Sequence, residues 1–292
     1  MFVPNTKRFL DTTPRHVLRY IHRKLAKKTK PKVSDFSNLS CIFVLSTGRA
    51  GTQTLAALCG LAKNYFVYHE PEPRLFGLSK LSYEKYNLEN DVIFQESFIT
   101  CRRELFKYAL LMEKNYMETG NHVTFLAPII LKTLAQVRFI HLVRDPRDVV
   151  RSGMRRKWYD GGIFDRTRIV PREGTKADSE WSCYTPFQKN LWLWDESNRW
   201  ILNFLSKIPE QQQLLVQSED VFNGHKDTIE SIFKFMDSPL PSERQISNVL
   251  GKKMNVQKVG RFPNPSDWTE EMQQQLVNLA GETAKRLGYT LE

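Results

Sequence analysis

Residues 41–62 read CIFVLSTGRAGTQTLAALCGLA and contain the three elements that decide the fold. The run CIFVLS (41–46) is almost entirely apolar, which is typical of a strand buried on both faces of a parallel sheet. Gly48 and Gly51 then allow a tight turn, and stretch 52–62 places apolar residues at helical spacing. A strand, a glycine-containing turn and a helix in this order predict the first unit of an α/β fold.

Short apolar runs and amphipathic stretches continue in the same alternation along the chain. Further strands are predicted at YFVYH (65–69), DVIFQES (91–97), VRFIHLV (137–143) and QLLVQS (213–218). Helices are predicted near 102–119, 126–135, 146–157, 183–206, 225–237, 242–251 and 270–287. We therefore predict an α/β fold, in which a central parallel β-sheet of about five strands is flanked by helices in a three-layer sandwich like that of P-loop NTPases.

The composition fits a globular domain. The 292 residues are 41% hydrophobic, enough for a sizeable core. The sequence contains no run of about 18 apolar residues, so no membrane span is predicted. The N-terminal stretch lacks the apolar core of a signal peptide. We expect a cytoplasmic protein with one α/β domain at 36–292, interrupted by a polar insertion at 158–182.

The excess positive charge is concentrated at the N-terminus. The net charge is +11, yet residues 1–32 carry ten Lys or Arg residues and one acid, Asp11. This concentration argues against a nucleic-acid-binding groove in the domain, so no nucleic acid is expected. Residues 1–35 are predicted to form an extension whose basic amphipathic segment, 14–28, makes peripheral membrane contact. The alternative is a solvated helix that packs on its own domain.

The turn after the first strand has the features of a phosphate site. The backbone amides from Gly48 to Gln53 can converge on an anion at the positive end of the next helix. Arg49 adds a permanent charge, and Thr52 supplies a hydroxyl donor. An ordinary strand-to-helix turn remains the alternative, and the loop has no lysine in the Walker A position.

A second candidate anion site follows strand 137–143. In RDPRD (144–148), Asp145 is a natural helix N-cap and Pro146 suits the first helical position. These structural roles leave Arg144 unexplained, and Ser152 can face the same sheet edge. Two anion sites at one edge indicate a ligand with two separated phosphates.

These two segments resemble those of sulfotransferases that use 3′-phosphoadenosine 5′-phosphosulfate (PAPS). The family's [K/R]-S-G-T-T loop is matched by RAGTQ (49–53), and its R-D-P-R-x-x-x-x-S segment by residues 144–152. Ala50 and Gln53 depart from the family's Ser and Thr but leave the amide cradle in place. The resemblance implies a 5′-phosphosulfate site formed by Thr47, Gly48, Arg49, Ala50, Gly51, Thr52, Gln53 and Thr54.

The same resemblance implies residues for the 3′-phosphate. Arg144 and Ser152 match the two positions that bind it in the family. GRF (260–262) resembles a late basic loop that closes over the nucleotide, which makes Arg261 a third candidate and Lys258 a weaker one. PAPS would be the donor, 3′-phosphoadenosine 5′-phosphate (PAP) the product, and no metal is implied.

The catalytic base is sought in HEPEPR (69–74), after the second strand. Carbohydrate and protein-tyrosine members of the family carry a Glu in this region, and Glu70 matches it. His69 is the alternative base, and Glu96 is a more distant one. Glu70 and His69 also have structural interpretations. His69 can bond to the backbone, and Glu70 can pair with Arg74 four residues on. Arg49 would stabilise charge on the leaving oxygen.

The acceptor is expected to carry a hydroxyl, on a glycan or a small molecule. The segment RRKWYDGG (155–162) and the arginines of insertion 158–182 could form a lid over an anionic or sugar acceptor, with Trp158 stacking on a ring. The alternative is an exposed loop whose Trp packs on the domain. Two further functions stay open: a P-loop small-molecule kinase that uses Asp145 with magnesium, and a non-catalytic nucleotide-binding or membrane-associated protein.

Overall fold

The computed structural model describes residues 33–85, 91–252 and 260–291. The amphipathic segment 14–28, nearly all of the predicted extension 1–35, and Lys258 lie outside these residues. Within the described ranges, every helix is too short or too polar to cross a bilayer.

The predicted α/β fold is confirmed by a five-stranded, fully parallel sheet. The strand order is β2-β3-β1-β4-β5. The strands are β1 (Ser40–Leu45), β2 (Tyr65–His69), β3 (Asn115–Thr119), β4 (Gln136–Val143) and β5 (Gln213–Gln217).

Eleven α-helices lie among the described residues. They are α1 (Thr52–Cys59), α2 (Phe76–Lys85), α3 (Asp91–Leu111), α4 (Ala127–Thr133), α5 (Pro146–Arg155), α6 (Lys176–Glu180), α7 (Pro186–Leu205), α8 (Ser218–Phe222), α9 (Lys226–Phe235), α10 (Glu243–Leu250) and α11 (Glu270–Arg286). Short 3-10 helices lie at Val33–Asn38, Asn121–Leu126, Ile163–Thr167, Glu210–Gln212 and Pro265–Asp267.

The predicted strand 91–97 is wrong, because these residues begin helix α3. Val92 and Ile93 are each 67% exposed, whereas Phe94, Phe98 and the residues that follow them at helical spacing are buried. The apolar run is therefore part of a 3.6-residue pattern. The third strand is β3, at the end of the stretch 102–119 that the same pattern predicted to be helical.

Strand β1 shows why both faces of the sheet are covered. Cys41, Phe43 and Leu45 belong to one buried cluster, with side chains from α3, α4 and α7. Ile42 and Val44 belong to a second cluster, with side chains from α1 and α9. Side chains alternate along a strand, so an unbroken apolar run supplies both layers.

Candidate active site

A cavity of about 1220 Å³ opens at the carboxyl ends of β1, β2 and β4. This is the edge where ligands bind in open parallel sheets. Ten of the predicted site residues line it: Thr47, Gly48, Arg49, Gly51, Thr52, Gln53, Thr54, His69, Glu70 and Arg144. Ala50, Ser152 and Arg261 are not among its lining residues.

The loop after β1 is held in a conformation that requires small residues. Gly51 has a φ of 89° and caps α1, and a Cβ there would lie 2.5 Å from the ring of Phe222. A Cβ on Gly48 would lie 2.6 Å from Cη2 of Trp158. The two glycines therefore let aromatic rings pack directly on the loop backbone.

Ser218 ties this loop to the end of β4. Its single hydroxyl proton is shared between the carbonyl of buried Ala50 and the carbonyl of Val143, which lies 2.9 Å from the hydroxyl oxygen. Ala50 thus serves the site through its backbone, and its buried methyl group has no room for contact with a ligand. The serine fixes the spacing between the two candidate anion sites.

Arg49 lies at the centre of a cationic cluster. Its backbone has a φ of 71°, and its Nε donates to the Ser152 hydroxyl at 2.9 Å. Burial, followed by the charges of Arg156 and Arg144, lowers the pKa of Arg49 to about 10. The guanidinium stays protonated at neutral pH, and the cluster favours a polyanionic ligand. Ser152 contacts Arg49 in this arrangement.

Arg144 is fixed at the exit of β4 and carries unused bonding capacity. Its carbonyl accepts from Trp194 Nε1 at 2.9 Å, and its Nη2 bonds Asp148 at 2.6 Å. Its guanidinium also lies 5.3 Å from the Phe222 ring. Its Nε is buried without a hydrogen-bond partner among the described residues. Buried donors without a hydrogen-bond partner are uncommon in folded proteins.

The start of α5 confirms the predicted structural role of Asp145. Its carboxylate accepts from the Arg147 backbone at 2.8 Å and pairs with the Arg147 side chain at 2.7 Å. The backbone N–H of Asp145 donates to Glu219, which also accepts from Tyr289, both at 3.0 Å. Asp145 is therefore engaged in capping and pairing, which disfavours its use as the magnesium ligand of a kinase.

Glu70 and His69 lie at the end of β2 beside residues 48–53, the predicted phosphate loop. Glu70 has a φ of 45°, a backbone conformation that residues other than glycine rarely adopt. Its N–H donates to the Thr119 carbonyl at 3.0 Å. Its carboxylate is 4.0 Å from Arg74, the pairing predicted from the sequence. Nδ1 of His69 lies 3.0 Å from the Thr119 hydroxyl. Of the three candidate catalytic residues, Arg49 and Glu70 thus have strained backbones, a frequent property of active sites, and His69 does not.

The far wall of the cavity comes from α2 and from the 158–182 insertion. Trp158 is 8% exposed, and the guanidinium of Arg168 lies 3.9 Å from its ring centroid. Asp165 pairs with Arg168 at 3.0 Å. Lys80 of α2 also lines the cavity and donates to the Arg166 carbonyl at 3.0 Å. The insertion thus packs against the domain and covers the phosphate loop.

Two predicted candidates lie elsewhere. Arg261 lines a separate cavity of about 410 Å³, together with Arg151 and Arg155. Glu96 is exposed on α3 and does not line the main cavity.

Several cavity residues were not predicted from the sequence, above all Phe222 and Lys80. Phe222 directly follows the segment EDV (219–221), whose position after the fifth strand was the available signal. Lys80 carries no motif signal, since it is one basic residue on an amphipathic helix. Arg156 lies within the predicted lid segment and lines the cavity near Arg49.

Comparison with known protein families matches residues 39–279 to the family described as Sulfotransferase domain. The fold is similar to the sulfotransferase domain from the curacin biosynthetic pathway, with a TM-score of 0.51, 18% identity, and coverage of 87% of this chain and 99% of that one. The sulfotransferase domain of the Synechococcus PCC 7002 olefin synthase gives a TM-score of 0.52 at 16% identity, covering 90% and 100% of the two chains. No curated protein sequence matches.

Proposed function

The chain belongs to the sulfotransferase domain family, and from that premise we propose that it transfers a sulfuryl group from PAPS to a hydroxyl of a carbohydrate. The observation that carries this proposal is a single cavity with Arg49, Arg144 and Glu70 on its walls. The first two residues supply positive charge for two separate anionic groups, and the third is a carboxylate within reach of the same space.

The donor is assigned to the β1, β4 and β5 side of the cavity. The amides of the 48–53 loop at the N-terminus of α1 suit the 5′-phosphosulfate. Arg144, whose Nε has no hydrogen-bond partner in the described part of the chain, suits the 3′-phosphate. Phe222, which contacts the loop and Arg144, offers an apolar face beside them for the adenine ring.

The chemistry requires positioning, charge neutralisation and removal of one proton. Glu70 accepts the proton of the acceptor hydroxyl while the oxygen of that hydroxyl forms a bond to sulfur. The bond between sulfur and the 5′-phosphate oxygen breaks in the same step, and Arg49 stabilises the negative charge on that leaving oxygen. Guanidinium groups supply the positive charge, so the proposed reaction uses no metal.

A carbohydrate acceptor is favoured by the far wall of the cavity, which carries several cationic side chains. Arg74, Lys80, Arg156 and Arg168 line this wall, where Asp165 is the acidic member of the insertion. Phe76, Phe125 and Trp158 line the same cavity, so a sugar, with hydroxyl groups for the charged side chains and an apolar face for the aromatic rings, fits this mixture. A polar small molecule is the second candidate for the acceptor.

Thermal unfolding with nucleotides tests the donor assignment. We expect PAP to raise Tm, since a ligand at about 100 times its Kd adds about 2.7 kcal/mol to folded-state stability. ATP with magnesium and 5′-ADP should give smaller shifts or none. Arg144→Gln should abolish the PAP shift, whereas Arg147→Gln, whose side chain pairs with Asp145 outside the cavity lining, should retain it.

Each contrary outcome of this titration has a defined meaning. Stabilisation by ATP and magnesium in place of PAP would support a kinase and contradict the proposal. PAP binding without turnover on any carbohydrate or alcohol in a broad panel would support a non-catalytic nucleotide-binding protein.

Gly48→Ala tests the contact between the phosphate loop and Trp158. The new Cβ would lie 2.6 Å from the indole, which must therefore move away from the loop. We expect kcat/KM for the acceptor to fall about 10-fold or more, since small misplacements in a site are costly. Gly281→Ala on α11, where a Cβ meets an ordinary 3.5 Å contact, is the matched control. Parental kinetics for Gly48→Ala would contradict the packing.

A further inference from the structure

A buried charge network lies directly behind the loop that carries Glu70. Arg102 of α3 and Glu118 of β3 are both fully buried and form two bonds of 2.7 Å, from Nε and Nη2 to the two carboxylate oxygens. Burial would raise the pKa of the Glu118 carboxyl, but Arg102 and a hydrogen bond from His122 lower it to about 2. Because buried ion pairs contribute little net stability over apolar packing, this pair calls for another explanation.

Arg102 uses its remaining nitrogen on the loop itself. Its Nη1 donates to the carbonyl of Pro73 at 2.9 Å, and Pro73 belongs to the segment EPEPR (70–74). A charged donor to a carbonyl is one of the stronger hydrogen bonds available to a loop. The far end of the Glu70 loop is therefore attached to α3 through Arg102.

The near end of the loop is attached to β3. The N–H of Glu70 donates to the Thr119 carbonyl at 3.0 Å. Thr119 directly follows Glu118 and is itself buried, so the network around Glu118 also fixes the strand end that holds Glu70. The two attachments bracket residues 70–73 at both ends.

The side-chain stem of Glu70 has a third support. A Cβ on Gly120 would lie 2.8 Å from Cγ of Glu70 and 2.6 Å from Nδ1 of His122. The two side chains thus approach the same point, across a position that only glycine can occupy. His122 is fully buried and bonded to Glu118 at 2.7 Å, so the network around Glu118 reaches the glycine beside the Glu70 side chain.

We propose that Arg102 is a positioning residue for the catalytic base, acting through the Pro73 carbonyl and through Glu118 to hold Glu70 toward the sulfuryl-transfer site. The proposal rests on the assignment of Glu70 as base in the proposed function. It accounts for the left-handed backbone of Glu70, because strained residues persist where their surroundings over-determine them. It also accounts for a buried charge pair that the chemistry does not touch.

Arg102→Lys is the first test, because it keeps the buried charge and removes the forked geometry that bonds Glu118 and Pro73 together. We expect kcat to fall about 10-fold or more, while the Kd for PAP and the KM for PAPS stay near parental values. The control is Arg138→Lys, the same exchange in a 2.8 Å ion pair with Asp237 that makes no bond to the Glu70 loop. It should leave kcat unchanged.

A double-mutant cycle separates positioning from a general loss of stability. If Arg102 acts through Glu70, Arg102→Lys should lower kcat little further in a Glu70→Gln background. Glu118→Gln, nearly isosteric, is the second variant if Arg102→Lys fails to fold, and we expect the same kinetic pattern. PAP binding gives the folded fraction, to which kcat is normalised.

The outcomes for the network and for the base are distinguishable. Parental kcat in folded Arg102→Lys or Glu118→Gln overturns the positioning role, as does a full multiplicative loss in the double variant. If Glu70→Gln alone keeps parental kcat, the base assignment fails and the positioning role fails with it. A large loss in Glu70→Gln beside an unaffected Arg102→Lys overturns the network alone.

Discussion

Glu70→Gln is expected to lower kcat by about 10²–10⁴-fold, the usual contribution of a positioned general base. The amide keeps the size of the carboxylate but cannot accept the hydroxyl proton. Glu70 lines the same cavity as Arg49, and its charge raises the pKa of Arg49 against the larger effects that lower it. PAP binding should persist, because the proposed phosphate contacts come from other residues. Steady-state kinetics and PAP titration measure the two effects separately.

The segment that carries Glu70, residues 70–74, also offers a matched control for Glu70→Gln. Glu72 is two residues away, pairs with Arg74 at 3.2 Å and does not line the cavity, so Glu72→Gln should keep parental kcat. His69→Gln distinguishes the alternative base, whose Nδ1 already lies 3.0 Å from the Thr119 hydroxyl. A larger loss in His69→Gln than in Glu70→Gln would transfer the role to the histidine.

The order of elements could be predicted wherever strands have unbroken apolar runs. β1 is such a run after its first residue, β4 is interrupted only by Arg138 and His141 after its first residue, and the ends of each were placed within one residue. β3 could not be found this way, because NYMET (115–119) buries Glu118 and Thr119 at the strand end, where an apolar pattern would have revealed it. The charge of Glu118 is compensated by Arg102, from another element, and no local pattern contains that information.

The residues of the candidate site likewise fall into those that the sequence could predict and those that it could not. Residues in the turn after a strand, such as Arg49, Glu70 and Arg144, were predictable because parallel strands all end at one edge of the sheet. Contacts between distant segments were not. Trp158 packs on Gly48, and Ser218 bonds to Ala50, across more than 100 residues of sequence in each pair. Sequence spacing fixes which residues reach the edge, and tertiary packing decides which of them meet.

Removal of the Arg49 charge should lower kcat almost as much as removal of the base. Arg49→Met keeps much of the side-chain volume but removes the cation from the place where negative charge develops, so we expect kcat to fall about 10²–10³-fold. The loss should appear mainly in kcat, because the loop amides and Arg144 still hold the donor. Single-turnover kinetics at saturating PAPS checks this expectation.

Charge and geometry at Arg49 can be separated by a second variant. Arg49→Lys keeps the cation and loses the 2.9 Å bond from Nε to Ser152, so it should recover a large part of the activity lost in Arg49→Met. Arg199→Met, an exposed arginine paired with Glu196, is the surface control and should be parental. Equal activity in Arg49→Met and Arg49→Lys would show that the charge has no part in the reaction. Parental activity in both would remove Arg49 from the mechanism and leave the loop amides and Arg144 to stabilise the leaving group.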